Sequence, residues 1–130
     1  MKALVTGANK GIGFEIARSL GKRGYEILVG ARDEARGQAA VEKLVAEDIS
    51  ATFIKIDLND LDSLHEAGKR VNSLDILVNN AGIPDSVKPG RAPLDLTKPT
   101  IDYTTEDLRT TMETNFFGTH ELMKKLLSSL

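Results

Sequence analysis

The sequence predicts an α/β fold in which a parallel sheet of about four strands carries helices on both faces. Two observations predict it. Short aliphatic runs alternate with longer segments of helical periodicity, an order typical of parallel strands joined by right-handed crossovers. The run Ile76–Val78 is continuously apolar, as expected of a strand that is covered on both faces. The predicted architecture is therefore an open, doubly wound parallel sheet.

The chain is the size of one domain, and its composition excludes several classes of function. It has 130 residues, of which 41% are hydrophobic and 28% charged, and its formal net charge is −2. This balance argues against a nucleic-acid surface or a polybasic membrane patch. The absence of cysteine excludes disulfides, a thiol nucleophile and cysteine metal sites. No signal peptide or membrane-spanning run is recognised. We therefore expect a single cytoplasmic domain over residues 1–130, with no nucleic-acid or membrane partner.

Four strands are predicted from short, aliphatic-rich runs that end at glycine or polar residues. They cover residues 2–7, 25–32, 51–58 and 74–82. Ligands of open α/β sheets bind outside the carboxyl ends of the strands. The residues that follow these strands are therefore the first candidates for a site.

Helices are predicted over residues 13–24, 33–48 and 59–71, each with apolar residues at helical spacing. The third opens with an Asn-Asp pair that can cap it. A fourth, long helix is predicted over residues 104–130, with Thr105 as its cap. Its broad apolar face is predicted to comprise Leu108, Met112, Asn115, Phe116, Thr119, Leu122, Met123 and Leu126.

The segment between the fourth strand and the long helix, residues 83–103, is predicted to be irregular. It holds all four prolines of the chain, which are incompatible with regular structure throughout. Connections of this length are uncommon inside a compact domain unless they are functional or mobile. The segment could cover a bound ligand or contribute to an interface, and both interpretations stay open.

The turn TGANKGIG, residues 6–13, leads from the first strand into the first helix. Backbone N–H groups at a helix start, with the helix dipole behind them, attract phosphate. Gly7 allows a sharp turn, Gly11 removes a side chain where a phosphate would approach, and Gly13 allows close packing of the helix. The spacing G-x-x-x-G-x-G matches neither a Walker-type loop nor G-x-G-x-x-G. On this motif alone, a tight turn without a ligand remains an alternative.

The end of the second strand favours NADP over NAD. A dinucleotide site distinguishes a ribose hydroxyl from a 2′-phosphate about 20 residues beyond the phosphate turn, where a carboxylate selects the hydroxyl. This sequence has Ala31 and then Arg32, whose guanidinium suits a phosphate. Lys10 supplies a second positive charge. The alternative for Arg32 is an ordinary exposed arginine. We predict that NADP(H) binds more tightly than NAD(H).

The motifs together resemble the short-chain dehydrogenase/reductase family, and within it the carbonyl-reductase-like members. TGANKGIG resembles the TGxxxGIG turn of the family, LVNNAG at 77–82 resembles its NNAG motif, and ETNFFGT at 113–119 resembles the helix segment with its catalytic asparagine. GARDEARGQAAVEKL is also similar to a carbonyl-reductase segment. The resemblance spans nearly all of the chain. It implies a Rossmann-type fold lacking the C-terminal part of the family fold, an NADP(H) cofactor, and hydride transfer with a small-molecule carbonyl or alcohol substrate.

The resemblance also implies a set of site residues. By their places in the motifs, the cofactor-binding residues are Gly7, Asn9, Lys10, Gly11, Ile12, Gly13, Arg32, Asp57, Leu58, Asn80, Ala81 and Gly82. Asp57 and Leu58 are expected at the adenine and Arg32 at the 2′-phosphate. The alternative for Asn80 is a strand end held by side-chain hydrogen bonds. Asn115 is the implied catalytic asparagine, which helps to hold the proton-relay water and the active lysine; its alternative is a buried polar residue that needs a partner.

The other members of the family's catalytic set are not found in these residues. The reaction needs a tyrosine acid, a lysine four positions later and a serine that orients the carbonyl. The residue four positions after Tyr25 is Val29, and the residue four positions after Tyr103 is Asp107. The two histidines have no ligand spacing around them, so no metal site is predicted.

Two interpretations follow. In the first, the chain is the cofactor-binding part of a longer NADP-dependent reductase and is inactive alone. In the second, it is complete as a catalytically inactive NADP-binding or interaction module. The fourth strand is expected at a sheet edge, which is an association hazard unless covered. We therefore also expect self-association through that edge or through the long C-terminal helix.

Overall fold

The computed structural model describes residues 1–83 and 103–130 of the chain. The segment predicted to be irregular lies, apart from its two end residues, outside the described residues. Four parallel strands form one sheet: β1 (Lys2–Thr6), β2 (Glu26–Ala31), β3 (Ala51–Lys55) and β4 (Ile76–Val78). The predicted parallel sheet of four strands is confirmed.

The strand order is β3-β2-β1-β4, so the order reverses beside β1. Leu4 of β1 pairs with Leu28 of β2 on one side and with Leu77 of β4 on the other. Among the described residues β4 pairs with β1 alone, at an edge of the sheet. All four carboxyl ends lie at one edge, and β1 occupies the position where ligands of such sheets bind.

The third strand is shorter than predicted and ends at Lys55. The reason is the hydroxyl of Ser63, which accepts from the N–H of Asp57 at 3.0 Å and donates to the carbonyl of the same residue at 3.2 Å. A backbone unit engaged in this way cannot also pair with a neighbouring strand. Ile56 still donates its N–H to the carbonyl of Ala31 at 3.0 Å, and residues 57–60 then form a turn in which the N–H of Asp60 donates to the carbonyl of Asp57 at 3.0 Å.

Three helices follow the first three strands. They are α1 (Gly11–Gly21), α2 (Glu34–Val45) and α3 (Leu61–Arg70). The side chain of Asp33 caps α2, and that of Asp60 caps α3. An N-cap of this kind stabilises a helix by about 1 kcal/mol. The predicted Asn-Asp cap of the third helix is thus confirmed at its second residue.

The long C-terminal helix is one helical run with a change of register inside it. It comprises α4 (Thr105–Met112), a π-helical turn (Glu113–Gly118), α5 (Thr119–Leu126) and a final 3₁₀ turn (Leu127–Ser129). Thr104, and not Thr105 as predicted, is the cap. The chain is still extended at Thr104, so this residue and not Thr105 precedes the first helical turn. The hydroxyl and backbone N–H of Thr104 form a reciprocal capping box with Asp107.

Two apolar cores form, one on each face of the sheet, so the predicted helices on both faces are confirmed. Leu4, Leu64 and Leu122 belong to the core between the sheet and α3 with α5. Val5 and Leu44 belong to the other core, beneath α1 and α2. Neighbouring residues of β1 thus point to opposite cores. Full burial of each large aliphatic side chain contributes about 1.5–3 kcal/mol.

The predicted apolar face of the C-terminal helix is buried in only part of its length. Of the eight residues, Leu122 and Leu126 are buried, whereas Leu108, Met112, Asn115, Phe116 and Met123 are exposed. Small residues set the packed face instead. An added Cβ at Gly118 would overlap the carbonyl oxygen of Leu58, and one at Gly68 would lie 3.0 Å from the carbonyl oxygen of Lys125.

Candidate cofactor-binding site

The glycine turn of residues 6–13 lies at the carboxyl end of β1, between the ends of β2 and β4. Gly7 and Gly11 have the left-handed φ values of 66° and 57°, which glycine adopts without the strain of a Cβ. The N–H of Ala8 donates to the carbonyl of Gly30 at 3.1 Å and ties the turn to β2. The turn is therefore a fixed element of the sheet edge.

The three glycines of the turn have different surroundings. A Cβ at Gly13 would overlap Asn80 Nδ2 and the carbonyl oxygen of Gly7, and one at Gly7 would lie 3.0 Å from the Cα of Ala81. A Cβ at Gly11 would meet nothing within 4 Å in the described structure. Gly7 and Gly13 thus allow close packing against the end of β4. Gly11 instead borders open space. A phosphate could approach the backbone only at a residue with such space beside it.

The start of α1 differs from the starts of the other helices. Within the described part of the chain, α1 begins after Lys10 without a side-chain cap, whereas the caps of α2, α3 and α4 are side chains. The first N–H groups of a helix have no partner within the helix itself. At α1 these groups border the open space at Gly11 and, with the helix dipole, suit an anion.

A hydrogen-bond network ties the end of β1 to the end of β4. The hydroxyl of Thr6 accepts from the N–H of Asn80 at 3.0 Å and of Ala81 at 2.9 Å, and donates to the carbonyl of Val78 at 3.3 Å. The Asn80 amide donates to the carbonyls of Thr6 at 3.0 Å and Gly7 at 3.4 Å. Thr6 is 2% exposed. Its role was not predicted, although its place directly before Gly7 was a usable signal.

The turn after β3 presents Asp57 and Leu58 in different ways. Asp57 Oδ1 accepts from the N–H of Asn59 at 3.0 Å, so this carboxylate is held locally. Leu58 is 8% exposed, and its side chain belongs to the core beneath α3. Any contact between Leu58 and an adenine therefore comes from its backbone.

Arg32 follows β2 directly, and its side chain is exposed at the same sheet edge. The neighbouring carboxylate of Asp33 accepts from the N–H of Arg36 at 2.9 Å, so it serves as the cap of α2. Arg36, also exposed, lies in the first turn of α2. It was not predicted as a site residue. Its spacing of four from Arg32, at a helix start, was the available signal.

Asn115 lies in the π-helical turn and contacts the segment after β4. Its Oδ1 accepts from the N–H of Ile83 at 2.8 Å, and its Nδ2 donates to the carbonyl of the same residue at 2.7 Å. The interpretation of Asn115 as a buried polar residue is wrong, because the side chain is exposed. The structure places Asn115 beside Gly82, at the edge that carries the glycine turn; a Cβ at Gly82 would lie 3.4 Å from its Oδ1.

Comparison with known proteins places this arrangement in a family. The family model of the short chain dehydrogenases matches residues 1–130. The chain belongs to this family. It is 42% identical to carbonyl reductase (NADPH) 1 of Mus musculus over 130 residues, which cover 96% of this chain and 43% of that protein. The chain thus spans less than half the length of the carbonyl reductases that it matches.

Solved structures of family members share the fold. Actinorhodin polyketide ketoreductase with NADPH superposes with a TM-score of 0.81 at 31% identity, covering 98% of this chain and 46% of that chain. A metagenomic short-chain oxidoreductase in complex with NADP gives 0.78 at 27% identity, covering 96% and 54%. The Rossmann-type fold class predicted from the sequence is therefore confirmed.

Two further features concern membrane spans and metal sites. None of the helices described here is long and apolar enough to cross a membrane. Over residues 1–83 and 103–130, no group of three or more His, Cys, Asp or Glu side chains is arranged to hold a metal ion.

Proposed function

We propose that these residues form the cofactor-binding part of an NADP(H)-dependent oxidoreductase, which transfers hydride between the nicotinamide and a carbonyl or alcohol. One observation carries the proposal. The uncapped start of α1 borders open space at Gly11, at the same sheet edge as the exposed Arg32. Relatives named for NADPH and family structures that contain NADP or NADPH support NADP(H) as the cofactor.

The charges at this edge fit a dinucleotide with an additional phosphate. The pyrophosphate would lie on the first N–H groups of α1, lined by Asn9, Gly11 and Ile12. The guanidinium of Arg32 would hold the 2′-phosphate, with Lys10 as a second positive charge. We add Arg36 to this set, because it lies in the first turn of α2, four residues after Arg32. The carboxylate of Asp33 accepts from the N–H of Arg36 as the cap of α2, so it is engaged there and not by a ribose hydroxyl.

The remaining candidates would contact the rest of the cofactor. Asp57 and the backbone of Leu58 would lie at the adenine. Asn80, Ala81 and Gly82 would flank the ribose beside the Thr6 network. Asn115 would act near the nicotinamide end, where it holds the backbone of Ile83 through two hydrogen bonds. When bound, NADP(H) supplies the hydride. The protein residues named here bind and orient it.

Neither tyrosine is followed by lysine at the fourth position, which supports a proton donor outside these 130 residues. We therefore propose that they do not reduce carbonyls alone, and that the substrate is bound with the help of other residues. The alternative is an NADP-binding or interaction module without turnover. Self-association through the exposed Leu108, Met112 and Phe116 or through the edge of β4 also stays a prediction, as does the cytoplasmic location.

Fluorescence titration with NADPH and NADH tests the cofactor assignment. We expect NADPH to bind more tightly. Arg32→Ala should weaken NADPH about tenfold or more, because a charged hydrogen bond contributes about 1.5–3 kcal/mol, and should leave NADH unchanged. The matched control is Arg70→Ala, which removes an exposed arginine from the last turn of α3. Equal affinities for the two cofactors in the wild type would reject the proposal.

A turnover assay tests the proposal that these residues do not reduce carbonyls alone. NADPH consumption is followed with aromatic and aliphatic carbonyls at saturating cofactor. We expect no rate above background from these residues. Measurable turnover would show that another residue, or a second copy, supplies the proton. Sedimentation of the same sample then reports whether copies associate.

A further inference from the structure

A side-chain hydrogen bond joins the π-helical turn to the loop after β3. Thr114 Oγ1 donates to Asn59 Oδ1 at 2.8 Å. Thr114 is 5% exposed, so its hydroxyl is largely withdrawn from water. The residues are 55 positions apart in sequence, and the contact is therefore part of the tertiary fold.

The acceptor stands on a loop that is already held in place. The N–H of Asn59 donates to Asp57 Oδ1 at 3.0 Å, and the N–H of Asp57 donates to Ser63 Oγ at 3.0 Å. Close packing supports the same junction, because an added Cβ at Gly118 would overlap the carbonyl oxygen of Leu58. The loop thus provides a rigid partner for the hydroxyl of Thr114.

The donor stands on a helical turn of unusual register. Residues Glu113–Gly118 are π-helical. Such a turn contains one more residue than an α-helical turn and is rare outside functional sites. Thr114 and Asn115 are consecutive, yet their side chains bind different segments: Thr114 binds the loop after β3, and Asn115 binds Ile83 after β4. Consecutive helical side chains point in different directions, and the π-helical register sets the angle at which each of these two meets its segment.

We propose that Thr114 and Asn59 are positioning residues for Asn115. Their hydrogen bond holds the turn in the π-helical register, and this register directs Asn115 at Ile83. Without the hydroxyl, the turn relaxes towards α-helical geometry. The packing of α5 on α3 through Gly68 holds the C-terminal end, so the adjustment falls on Asn115. The inference rests on the proposed function only where Asn115 is given a role at the cofactor.

The test uses the solvent-exchange rate of the Ile83 amide proton, measured by NMR on the full chain without cofactor. Thr114→Val removes the hydroxyl and keeps the shape of the side chain. We expect Ile83 to exchange about fivefold to tenfold faster, the effect of one neutral hydrogen bond. Amides of α3 should keep their rates. Thr114→Ser, which retains the hydroxyl, should exchange like the wild type.

Two further variants sharpen the test. Thr111→Val is the matched control, because the Thr111 hydroxyl donates within its own helix, to the carbonyl of Asp107 at 3.0 Å, and it should leave Ile83 unchanged. Asn59→Ala removes the acceptor without altering the helix and should reproduce Thr114→Val. In the double variant with Asn59→Ala and Thr114→Val, the effects should not add.

Three results would overturn the proposal: wild-type exchange of Ile83 in both Thr114→Val and Asn59→Ala, equal acceleration of α3 and Ile83, or failure of Thr114→Ser to restore the rate. Because exchange is measured without cofactor, it does not depend on NADPH binding. Failure of the wild type to bind NADPH would reject the proposed function and leave the positioning result intact.

Discussion

The starts of α1 and α3 lie at the same edge of the sheet, but their first N–H groups differ in partner. At α3 the carboxylate of Asp60 accepts from the N–H groups of Asp62 at 3.1 Å and Ser63 at 3.3 Å. At α1 the residue in the same position is Lys10, whose side chain caps none of the described backbone groups. The first N–H groups of α3 are thus hydrogen-bonded to a side chain of the protein, whereas those of α1 have no side-chain cap.

This difference shows that the fold alone does not make a phosphate site. A doubly wound sheet brings several helix starts to one edge, and each carries the same partial positive charge. An acidic residue at the cap uses that charge internally. A lysine at the cap, beside the unfilled space at Gly11, leaves it for a ligand. We therefore expect local sequence to decide which helix start binds the cofactor.

The largest effect on the free energy of unfolding is expected from Gly13→Ala, which would disrupt the packing at the start of α1. The new Cβ would overlap Asn80 Nδ2 and the carbonyl oxygen of Gly7, so backbone must shift. Overpacking of this kind lowers the free energy of unfolding by about 3 kcal/mol, measurable by urea denaturation.

Gly11→Ala is the matched control in the same turn. Its Cβ meets open space, so only the left-handed φ of 57° is penalised, at about 1–2 kcal/mol. Equal losses for the two substitutions would contradict the different roles assigned to these glycines.

Lys10→Asp should convert the start of α1 into one that resembles α3. The carboxylate is expected to accept from the first turn and to raise the free energy of unfolding by about 1 kcal/mol. It also repels phosphate, and we expect NADPH to bind about tenfold or more weakly. Thermal unfolding with and without NADPH measures both effects.

Asp60→Ala is the counterpart at α3. It should lose about 1 kcal/mol of stability and keep most of the NADPH affinity. Wild-type NADPH affinity in Lys10→Asp would show that the N–H groups of α1 do not hold the phosphate.

The smallest effect is expected from Glu47→Gln, in the turn after α2, whose carboxylate pairs with Arg18 and Lys22 at the C-terminal end of α1. The Arg18 guanidinium, followed by the Lys22 ammonium, lowers the pKa of Glu47 below its ordinary value. Such a carboxyl stabilises the fold above its unfolded pKa, about 4.3, and this contribution is lost as the pH falls through the folded pKa. Glu47→Gln should therefore be less stable than the wild type near neutral pH, and the difference should vanish in acid.

Thermal unfolding measured across the acidic and neutral range checks this prediction. NADPH affinity at neutral pH should not change, because Glu47 contacts the C-terminal end of α1 and the glycine turn lies at its N-terminal end. An unchanged difference in stability at every pH would show that the ion pairs contribute nothing to the pH dependence.

Much of the fold and part of the site could be predicted because they depend on local patterns. Aliphatic runs and turn glycines predicted four strands and the turn at residues 6–13. Burial and backbone geometry at these positions depend on the type of each residue and its spacing from its neighbours. Arg32 could be placed for the same reason, as the residue after a strand. Whether each of these residues binds NADP(H) stays a prediction.

The rest depends on tertiary contacts that no local pattern reveals. Which part of the apolar face of the C-terminal helix packs on the sheet could not be predicted, because Gly118 and Gly68 set the closest approaches of this helix to the rest of the protein. The π-helical register is likewise invisible in the periodicity. The place of Thr6 directly before Gly7 was a usable signal, but its hydrogen-bond partners after β4 could be identified only once the ends of β1 and β4 were side by side.

The packing of Gly7 and Gly13 against Asn80 also has a consequence for the order of events during synthesis. A nascent chain of about sixty residues contains all of the glycine turn but not Asn80, against which Gly7 and Gly13 pack. Closing a loop of this length costs entropy, and the contacts that offset this cost form only when β4 docks. The turn at residues 6–13 is thus made early, but its packing against Asn80 is completed only after β4 has docked.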